Sequence, residues 1–386
     1  MNKVIVFGIS LQNTLGLIRS VGEKGIPVIL LLELNQYAPN YVLYSKYVTQ
    51  VHKVKNGDEA IDVLLEQYLG EKEKSILLCG SDTAIAVLDA NYDKLKDNFC
   101  IFNIHNQQGK INHFLNKLST FEYAQKSGLN VIKTWHVTDI HLLPDDIVYP
   151  CLVKGNNSTG STKGDLRICY TEEELLNGLR EGVDYLVQEY IEKDYELNVN
   201  GFSYNHGKNV YIPAVIRKLR DSLYRQGEFL RLDNVDEYPN LNVDALKTFV
   251  GLIGYEGLFS IELLCRDNKF YFLEINLRND GLGYLYTCAG VNYPYLWIKY
   301  NTGELTDGYI NSIVCKTPYY CMLEKDFNNV IERKISLGKW CSDFFKSDCF
   351  YILSKSDPMP FMYSTYVHIR QAIKKVLRKL FKMKIQ

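Results

Sequence analysis

The stretch from Leu258 to Arg278, LFSIELLCRDNKFYFLEINLR, predicts two apolar strands joined by a polar turn. The second strand ends in a strict alternation, with Glu274, Asn276 and Arg278 on one face and aliphatic side chains on the other. Glu262 lies in the middle of the first strand, where a carboxylate without a cationic partner is costly. The stretch therefore predicts a hairpin with an unusual polar face.

The polar face of this hairpin suggests a metal site. If Glu262 lies directly opposite Glu274, the two carboxylates repel each other unless a cation is bound between them. With the amide oxygen of Asn276 they suit Mg²⁺ bound through phosphate oxygens, and Arg278 suits the phosphate itself. A regular hairpin brings both carboxylates to one face only through an odd-length loop, so we predict the three-residue connection Asp267-Asn268-Lys269. The alternative is an edge hairpin with a solvated polar face.

Length and composition describe an ordinary globular chain. Its 386 residues favour two to three domains, and a formal net charge of -1 argues against a general nucleic-acid binder. The ten cysteines are scattered without a CxxC motif, which indicates buried thiols in a reducing compartment. The sequence shows no signal peptide and no apolar run long enough to cross a bilayer, so we expect a soluble cytoplasmic protein.

The first hundred residues predict an α/β unit. VIVFGI and PVILLL are continuous buried-strand runs separated by an amphipathic helix, and the first loop lacks the GxGxxG of a dinucleotide site. Asp82 follows the later strand SILLC, at the edge where open α/β sheets bind ligands. Asp82 could contact a substrate there, and it could equally serve as the N-cap of the next helix; the two roles are compatible.

Two lysines frame a polar loop in the middle of the chain. Lys117 lies on a predicted helix, and Lys154 ends the strand PCLVK before the loop GNNSTGSTKG. Such a loop offers backbone N–H groups and hydroxyls to phosphate oxygens, but it lacks the P-loop pattern and is followed by a strand. A β-hairpin flap over phosphates is the functional interpretation. A surface lysine and a hairpin tip are the alternatives.

Three further segments are candidates for binding. Gln188 and Glu189 interrupt an apolar strand and suggest a hinge whose backbone meets a purine edge. Glu196 opens the next strand, where it could hold a ribose diol. The cationic run RKLR, residues 217–220, predicts contacts with anionic substrate groups or a solvated strand end.

The tail from residue 363 to 386 contains no acidic residue. Its apolar side chains fall on one helical face and its lysines and arginines elsewhere, which predicts a basic amphipathic helix. Such a helix can lie on an anionic membrane surface or dock on its own domain, and the sequence leaves both open.

The order of these pieces resembles the ATP-grasp superfamily, and within it the carboxylate–amine ligases, a branch that includes D-aspartate ligase and carbamoyl-phosphate-synthase-like proteins. The likeness extends over nearly the whole chain, from a preceding α/β domain through RKLR and FLEINLR to the late DPMPF. Two departures from the family pattern are a lid with fewer glycines and Leu277 in place of a frequent proline.

The resemblance implies a role for each candidate residue. It implies nucleotide contacts from the phosphate lysines Lys117 and Lys154, the lid residues Ser158, Thr159, Gly160 and Ser161, the adenine hinge Gln188, Glu189, Tyr190 and Ile191, and the ribose carboxylate Glu196. It implies Mg²⁺ ligands at Glu262, Glu274 and Asn276, and catalytic roles for Arg278, Arg217 and Lys154.

The implied fold is α/β and α+β, an N-terminal α/β pre-ATP-grasp domain followed by two α+β subdomains that clamp ATP. The predicted domains are the pre-ATP-grasp domain 1–108, an ATP-binding subdomain with lid 109–190, a catalytic subdomain 191–310, an extension 311–362 and the basic helix 363–386.

The implied function is an ATP-dependent carboxylate–amine ligase that forms an amide through an acyl phosphate, with ATP and Mg²⁺ as cofactors. Two metal ions are expected, with Mn²⁺ as an alternative. Small-molecule carboxylate and amine substrates are expected, such as an amino acid and a cell-surface glycan or peptide precursor. The alternatives are an enzyme that phosphorylates bicarbonate, of the carbamoyl-phosphate or carboxylase type, and a non-catalytic ATP-binding protein at the inner face of the membrane.

Overall fold

The structure of the chain, a computed structural model, describes residues 2–34, 39–155, 166–221 and 227–383, with side chains described as far as residue 374 except that of residue 372. The chain divides into two compact units. The first comprises residues Met1–Phe102, Leu219–Leu232 and Arg278–Gln386, and the second Asn103–Lys218 and Asp233–Leu277. The predicted lid residues Ser158, Thr159, Gly160 and Ser161 lie outside the described ranges.

The strands in chain order are β1 Val4–Ile9, β2 Val28–Glu33, β3 Val48–Val54, β4 Ser75–Cys79, β5 Phe99–Cys100, β6 Asn103–Ile104, β7 Asn130–Val131, β8 Thr134–Val137, β9 Cys151–Gly155, β10 Arg167–Cys169, β11 Tyr185–Glu189, β12 Tyr195–Tyr204, β13 Asn209–Tyr211, β14 Ala214–Asp221, β15 Gly227–Asn234, β16 Tyr255–Arg266, β17 Lys269–Asn276, β18 Tyr319–Met322 and β19 Cys349–Phe350.

The helices are α1 Gln12–Gly22, α2 Gly57–Tyr68, α3 Asp82–Ala90, α4 Tyr92–Leu95, α5 Lys110–Phe114, α6 Lys117–Lys126, α7 Glu172–Leu176, α8 Val243–Ile253, α9 Gly283–Cys288, α10 Tyr293–Asn301, α11 Asp307–Asn311, α12 Asn328–Ile331, α13 Leu337–Lys346 and α14 Met359–Met383. Within the described ranges, none of these helices combines the length and the apolar character that crossing a bilayer requires.

The first unit is built on a parallel sheet in the order β3-β2-β1-β4-β5. Its central strands are continuous apolar runs because both faces are covered, and Phe7, Leu30 and Leu77 are fully buried. The strand order reverses between β1 and β4, so the carboxyl ends of these two strands form the crevice where such sheets bind ligands. Asp82 begins α3 at this edge, directly after β4.

The N-cap of α3 is Ser81, whose hydroxyl accepts a hydrogen bond from the Ala84 N–H at 3.1 Å. The alternative in which Asp82 caps this helix is therefore wrong. Since a serine hydroxyl in extended conformation satisfies the free N–H group, the Asp82 carboxylate, one residue later, is available for another partner.

The second unit contains two sheets. The smaller is antiparallel, in the order β10-β9-β11-β8, and encloses a core that includes Trp135, Val153 and Val187. The pairing of β9 with β10 confirms the predicted hairpin around the polar loop. In the larger sheet, β12 pairs with β14 and β16, β16 pairs with β17, and β17 pairs with β7 in parallel. The predicted mixed α/β and α+β architecture is confirmed.

The hairpin of β16 and β17 closes through a two-residue turn, so the predicted three-residue loop is wrong. Arg266 pairs directly with Lys269, and both intervening residues have positive φ, 50° at Asp267 and 59° at Asn268. This backbone is that of a type I′ turn, whose twist matches the two strands and which aspartate and asparagine tolerate. An even turn on a regular ladder would place Glu262 and Glu274 on opposite faces.

Candidate active site

A β-bulge restores the alignment of the two carboxylates. Leu263 pairs with Phe272, whereas Glu262 pairs with Glu274, so Leu273 is an extra residue on β17. Past this bulge the ladder is regular again, and Ser260 lies opposite Asn276. The predicted convergence of Glu262, Glu274 and Asn276 on one face is thus present, although it arises from a bulge and not from the loop.

The neighbouring strand β12 extends this polar face. Asn198 lies opposite Glu262, and Asn200 lies opposite Ser260, so both amides share the face of the carboxylates. The Asn276 amide nitrogen donates to the Ser260 hydroxyl at 3.3 Å. The larger sheet therefore presents carboxylates, amides and a hydroxyl together on one side.

These donors fit a hard divalent cation. Two carboxylates on directly opposed residues repel each other, and Mg²⁺ prefers carboxylate and amide oxygens of the kind that Glu262, Glu274 and Asn276 supply. Within the described ranges there is no group of three or more His, Cys, Asp or Glu side chains arranged for a metal ion.

Lys218 neutralises part of this negative charge. Its Nζ donates to Glu196 at 2.7 Å and to Glu262 at 3.3 Å, and only 8% of its side chain is exposed. Lys193 also donates to Glu196, at 2.7 Å. Burial alone would raise the pKa of Glu196, but the charges and hydrogen bonds of Lys218 and Lys193 outweigh it and hold the pKa below its ordinary value. Glu196 is therefore an ionised acceptor.

Arg217 lies on the other face of its strand. It pairs with Leu197 in β12, whereas Ile216 pairs with Asn198, which lies opposite Glu262. Because side chains alternate along a strand, Ile216 is on the face of Glu262 and Arg217 is not. The Arg217 guanidinium stacks over the Tyr195 ring, 4.1 Å from its centroid. The structure therefore brings Lys218, and not the predicted Arg217, into the carboxylate cluster. In the first unit, Arg220 is bound by Asp326 and Asp343.

Lys154 extends from β9 toward the same charges. Its pKa is lowered to about 8, first by burial and then by the charge of Lys117, and the charge of Glu274 opposes both effects. Its Nζ lies 5.7 Å from the centroid of the Phe121 ring. Lys154 is thus electrostatically coupled to Lys117, the other predicted phosphate lysine, and to Glu274, a predicted metal ligand.

Lys117 is the first residue of α6. The side chain of Asn116 accepts a hydrogen bond from the Leu118 N–H at 2.9 Å and caps this helix. The cap places Lys117 at a helix N-terminus, where an anion is favoured by the free N–H groups as well as by the ammonium group.

The predicted hinge joins the end of β11 to the following segment. The Gln188 amide is buried and donates to the Thr134 hydroxyl at 2.8 Å, so this side chain fixes the hinge to β8. The N–H groups of Glu189 and Tyr190 donate to the Lys133 and Pro150 carbonyls, each at 3.0 Å. These two N–H groups are therefore already bound within the second unit and are not open to a purine edge.

A groove of about 700 Å³ in the second unit adjoins this hinge. Its lining includes Glu189, Thr134 and Phe121, together with Tyr271 from the hairpin. Phe121 also contacts the Lys154 ammonium group, so the groove lies beside the lysine that carries the lowered pKa.

Arg278 has a defined partner in the first unit. Its Nε and Nη2 donate to the two carboxylate oxygens of Asp82 at 2.6 and 2.9 Å, which is a bidentate ion pair. Asn279, the next residue, donates from its amide to the Asn13 carbonyl at 3.1 Å. Asp82, the predicted substrate contact, is thus bound to Arg278, the predicted phosphate contact, in the crevice beside β1 and β4.

Sequence reasoning missed Lys218, Asn198 and Asn200 as members of the polar face. The alternation in YELNVNG contained the signal, because residues 196, 198 and 200 share one face of a strand. Lys218 was part of the recognised cationic run, but its face depends on the pairing of two strands that are distant in sequence.

No family model matches the chain, and no match was found among curated proteins. Solved structures do match. N5-carboxyaminoimidazole synthetase from Staphylococcus aureus, complexed with ADP, has a TM-score of 0.66 at 16% identity, over 86% of this chain and 85% of that one. L-amino acid ligase from Bacillus licheniformis has a TM-score of 0.62 at 16% identity, over 79% of this chain and 76% of that one.

A third match is the biotin carboxylase domain of 2-oxoglutarate carboxylase from Hydrogenobacter thermophilus, in complex with MgADP, ADP and bicarbonate. Its TM-score is 0.63 at 18% identity, over 80% of this chain and 71% of that one. At these identities the likeness shows the fold, and the proteins named are ATP-grasp proteins. The chain therefore has the ATP-grasp fold that its motifs resemble.

Proposed function

We propose that the protein is an ATP-dependent carboxylate–amine ligase that forms an amide and releases ADP and phosphate. The observation that carries the proposal is the placement of Glu262 opposite Glu274, with the charge of Lys154 coupled to Glu274 and to Lys117. Anionic ligands for a metal and cationic ligands for phosphate lie side by side there, as a polyphosphate bound with a divalent cation requires.

ATP is assigned by the residues that surround this cluster. The purine lies against the hinge of Gln188 to Ile191, which joins the end of β11 to the following segment. The ribose diol donates to Glu196, which its lysine neighbours keep ionised. Lys117 and Lys154 bind the phosphates, under the lid that carries residues 158–161. The predicted subdomains 109–190 and 191–310 are the two halves of this clamp.

Glu262, Glu274 and Asn276 would hold Mg²⁺, one ion or two, with Mn²⁺ as an alternative. An ion held by these three side chains would supply positive charge against the negative charge that develops during transfer.

The reaction has two steps because a carboxylate is a poor electrophile. A carboxylate oxygen of the substrate attacks the γ-phosphorus, the bond to the β-phosphate oxygen breaks, and ADP leaves. The amine then attacks the acyl carbon, phosphate leaves with the former carboxylate oxygen, and the amine loses a proton. Lys154 and Lys117 hold the phosphates in line and stabilise charge without supplying a covalent group.

The remaining roles are proposed from the chain's order. Arg278, two residues after Asn276, steadies the transferred phosphoryl group, and Asp82 fixes the plane of its guanidinium. Asp82 and the crevice at β1 and β4 suit a polar substrate such as an amino acid, joined to a glycan or peptide precursor.

The proposal is tested by ADP release with a panel of amino acids and of carboxylates that include uronic acids and peptides, with the products identified by mass spectrometry. Glu274→Gln should abolish ADP release, and Glu181→Gln, an exposed carboxylate of the same unit, should not change it. Full activity of Glu274→Gln would contradict the proposal.

A carboxylase-type reaction on bicarbonate is the second candidate, because a matched structure is a biotin carboxylase domain bound to bicarbonate. ADP release that depends on bicarbonate and needs no carboxylate from the panel would favour it. Stabilisation by Mg-ATP without turnover on any substrate would favour the non-catalytic alternative.

A further inference from the structure

The C-terminal helix α14 carries an apolar stripe that is open to solvent. Met362, Tyr366, Ile369 and Ile373 follow one another at intervals of four and three residues, so they share one face of the helix. Their exposed fractions are 57, 59, 55 and 54%. Four large side chains in a row are thus left in water on one face, which marks an interaction surface and not an ordinary helix exterior.

Among the described side chains of α14, those at the beginning of the helix pack on the rest of the first unit. Tyr363 stacks on Tyr44 with 4.0 Å between ring centroids, and Pro360 and Ser364 are buried. From His368 to Lys374, every described side chain is exposed. Among these residues the helix therefore does not dock its apolar face on its own domain, which was one of the two predicted arrangements.

The charge of this segment identifies the partner. Residues 359–386 contain five lysines and two arginines and no aspartate or glutamate, although the whole chain has a formal net charge of -1. The rest of the chain is therefore net acidic, and positive charge is concentrated beside the apolar stripe. A surface that attracts this helix must be anionic and must also accept apolar side chains.

A second copy of the helix fits these features poorly. The four-and-three spacing would suit a two-helix seam, but a seam is flanked by paired charges of opposite sign, and this segment has only basic residues. Beyond Ile373, positions 376, 377, 380 and 381 are also apolar in sequence, so the apolar positions span about 140° of the circumference at about 100° per residue. This arc is wider than a coiled-coil seam and typical of a helix lying in a bilayer interface.

We propose that α14 binds an anionic lipid surface, with Met362, Tyr366, Ile369 and Ile373 inserted between lipids and the basic side chains on the headgroups. The helix lies parallel to the bilayer, and the stack of Tyr363 on Tyr44 connects it to the first unit. The proposal concerns attachment only and is independent of the reaction that the protein performs.

The test measures binding of the full-length protein to vesicles of phosphatidylcholine alone and of phosphatidylcholine with an equal part of phosphatidylserine. We expect binding only to the second kind, weakened by added salt. The double variant Arg370→Gln/Lys374→Gln should weaken it by about thirtyfold, at about 1 kcal/mol for each basic residue. The double variant Ile369→Gln/Ile373→Gln should weaken it at least as much although it keeps every charge.

The matched control is Lys55→Gln/Lys72→Gln, which removes two exposed charges elsewhere in the first unit and should bind normally. Circular dichroism and thermal unfolding confirm that each variant is folded. Unchanged binding of the isoleucine variant, or no binding of the native protein to phosphatidylserine vesicles, would overturn the proposal. The proposal would also be overturned if the native protein did not bind vesicles but formed a concentration-dependent dimer that the isoleucine variant could not form.

Discussion

Glu262 and Glu274 lie directly opposite each other on adjacent antiparallel strands, held there by one extra residue, Leu273. The opposition of two carboxylates is unfavourable in a bare sheet by about 0.2–1 kcal/mol. The arrangement becomes favourable only when cations share it.

The Glu274→Gln variant should therefore have opposite effects on the free and the liganded protein. Without ligand, its melting temperature should equal or exceed that of the native protein, because a repulsion is removed. With Mg-ADP, the stabilisation seen in the native protein should be lost. Thermal unfolding with and without Mg-ADP checks both, with Glu181→Gln as the control. A Glu274→Gln protein that Mg-ADP stabilises as strongly as the native protein would show that this carboxylate binds no metal.

Two single-residue deletions should show whether the metal site depends on the bulge itself or on the pairing of the residues around it. Deleting Leu273 removes the extra residue and leaves Glu262 opposite Glu274, so Mg-ADP should still stabilise the protein. Deleting Ile275 instead moves Asn276 to the other face, and the stabilisation should be lost. Circular dichroism shows whether each protein is folded. Equal loss in two folded deletion variants would mean that the site depends on the bulge itself.

Nucleotide affinity should fall as the pH rises through about 8. Lys154 has its pKa lowered to about 8 in the free protein, first by burial, so it loses its proton above that value and with it a charge-assisted contact to phosphate. The loss should be about tenfold. Calorimetric titration with Mg-ADP on either side of this pH measures it. Lys154→Arg, which stays charged, should remove the pH dependence. An unchanged pH profile in this variant would assign the titration to another group.

Removing the partner of Arg278 should affect turnover. Asp82→Asn keeps the size of the side chain but removes the charge from a bidentate pair, so Arg278 gains freedom and the fold loses about 1 kcal/mol. We expect kcat to fall while the affinity for Mg-ADP stays the same. If Asp82 instead binds the amine substrate, the KM for that substrate rises and kcat changes little. Steady-state kinetics with the substrates from the panel separate the two.

A buried ion pair should dominate the stability of the first unit. Arg19 and Asp357 are joined at 3.0 Å with 0 and 1% of their side chains exposed, and Arg19 also donates to the Tyr351 and Ile352 carbonyls. Arg19→Met leaves the Asp357 carboxylate buried without its partner, so unfolding should become easier by about 3–5 kcal/mol. Denaturant unfolding measures this. Adding Asp357→Leu should recover part of the loss, and a larger loss in the double variant would contradict the explanation.

The fold and the opposed carboxylates were predictable because they depend on local patterns. Continuous apolar runs predicted the parallel strands, and the alternation in LEINLR predicted the face shared by Glu274 and Asn276. The turn carried its own signal, since an Asp-Asn pair accepts the positive φ of a two-residue turn. We predicted a longer loop because a regular ladder was assumed, and a bulge at a leucine has no sequence signature.

The other differences come from pairings between distant residues. Whether Arg217 or Lys218 faces the carboxylates depends on the register of β14 on β12. The partner of Arg278 is Asp82, 196 residues away in the chain. Neither relationship has a periodicity that a single sequence displays. Local caps are different, because Ser81 and Asn116 each precede a helical run and could have been recognised.

The bulge at Leu273 lies between the Glu262–Glu274 pair and the tip of the hairpin, so the alignment of the two carboxylates does not depend on the shape of the tip. On the site side of the bulge, the Tyr255 hydroxyl lies 2.8 Å from the carbonyl oxygens of both Leu258 and Leu277, so its one proton can be donated to either and it links the bases of both strands. The facing of Glu262 and Glu274 is therefore fixed from the base of the hairpin upward. The tip between Arg266 and Lys269 becomes a position where a tag or a binding loop can be grafted without misaligning the carboxylates.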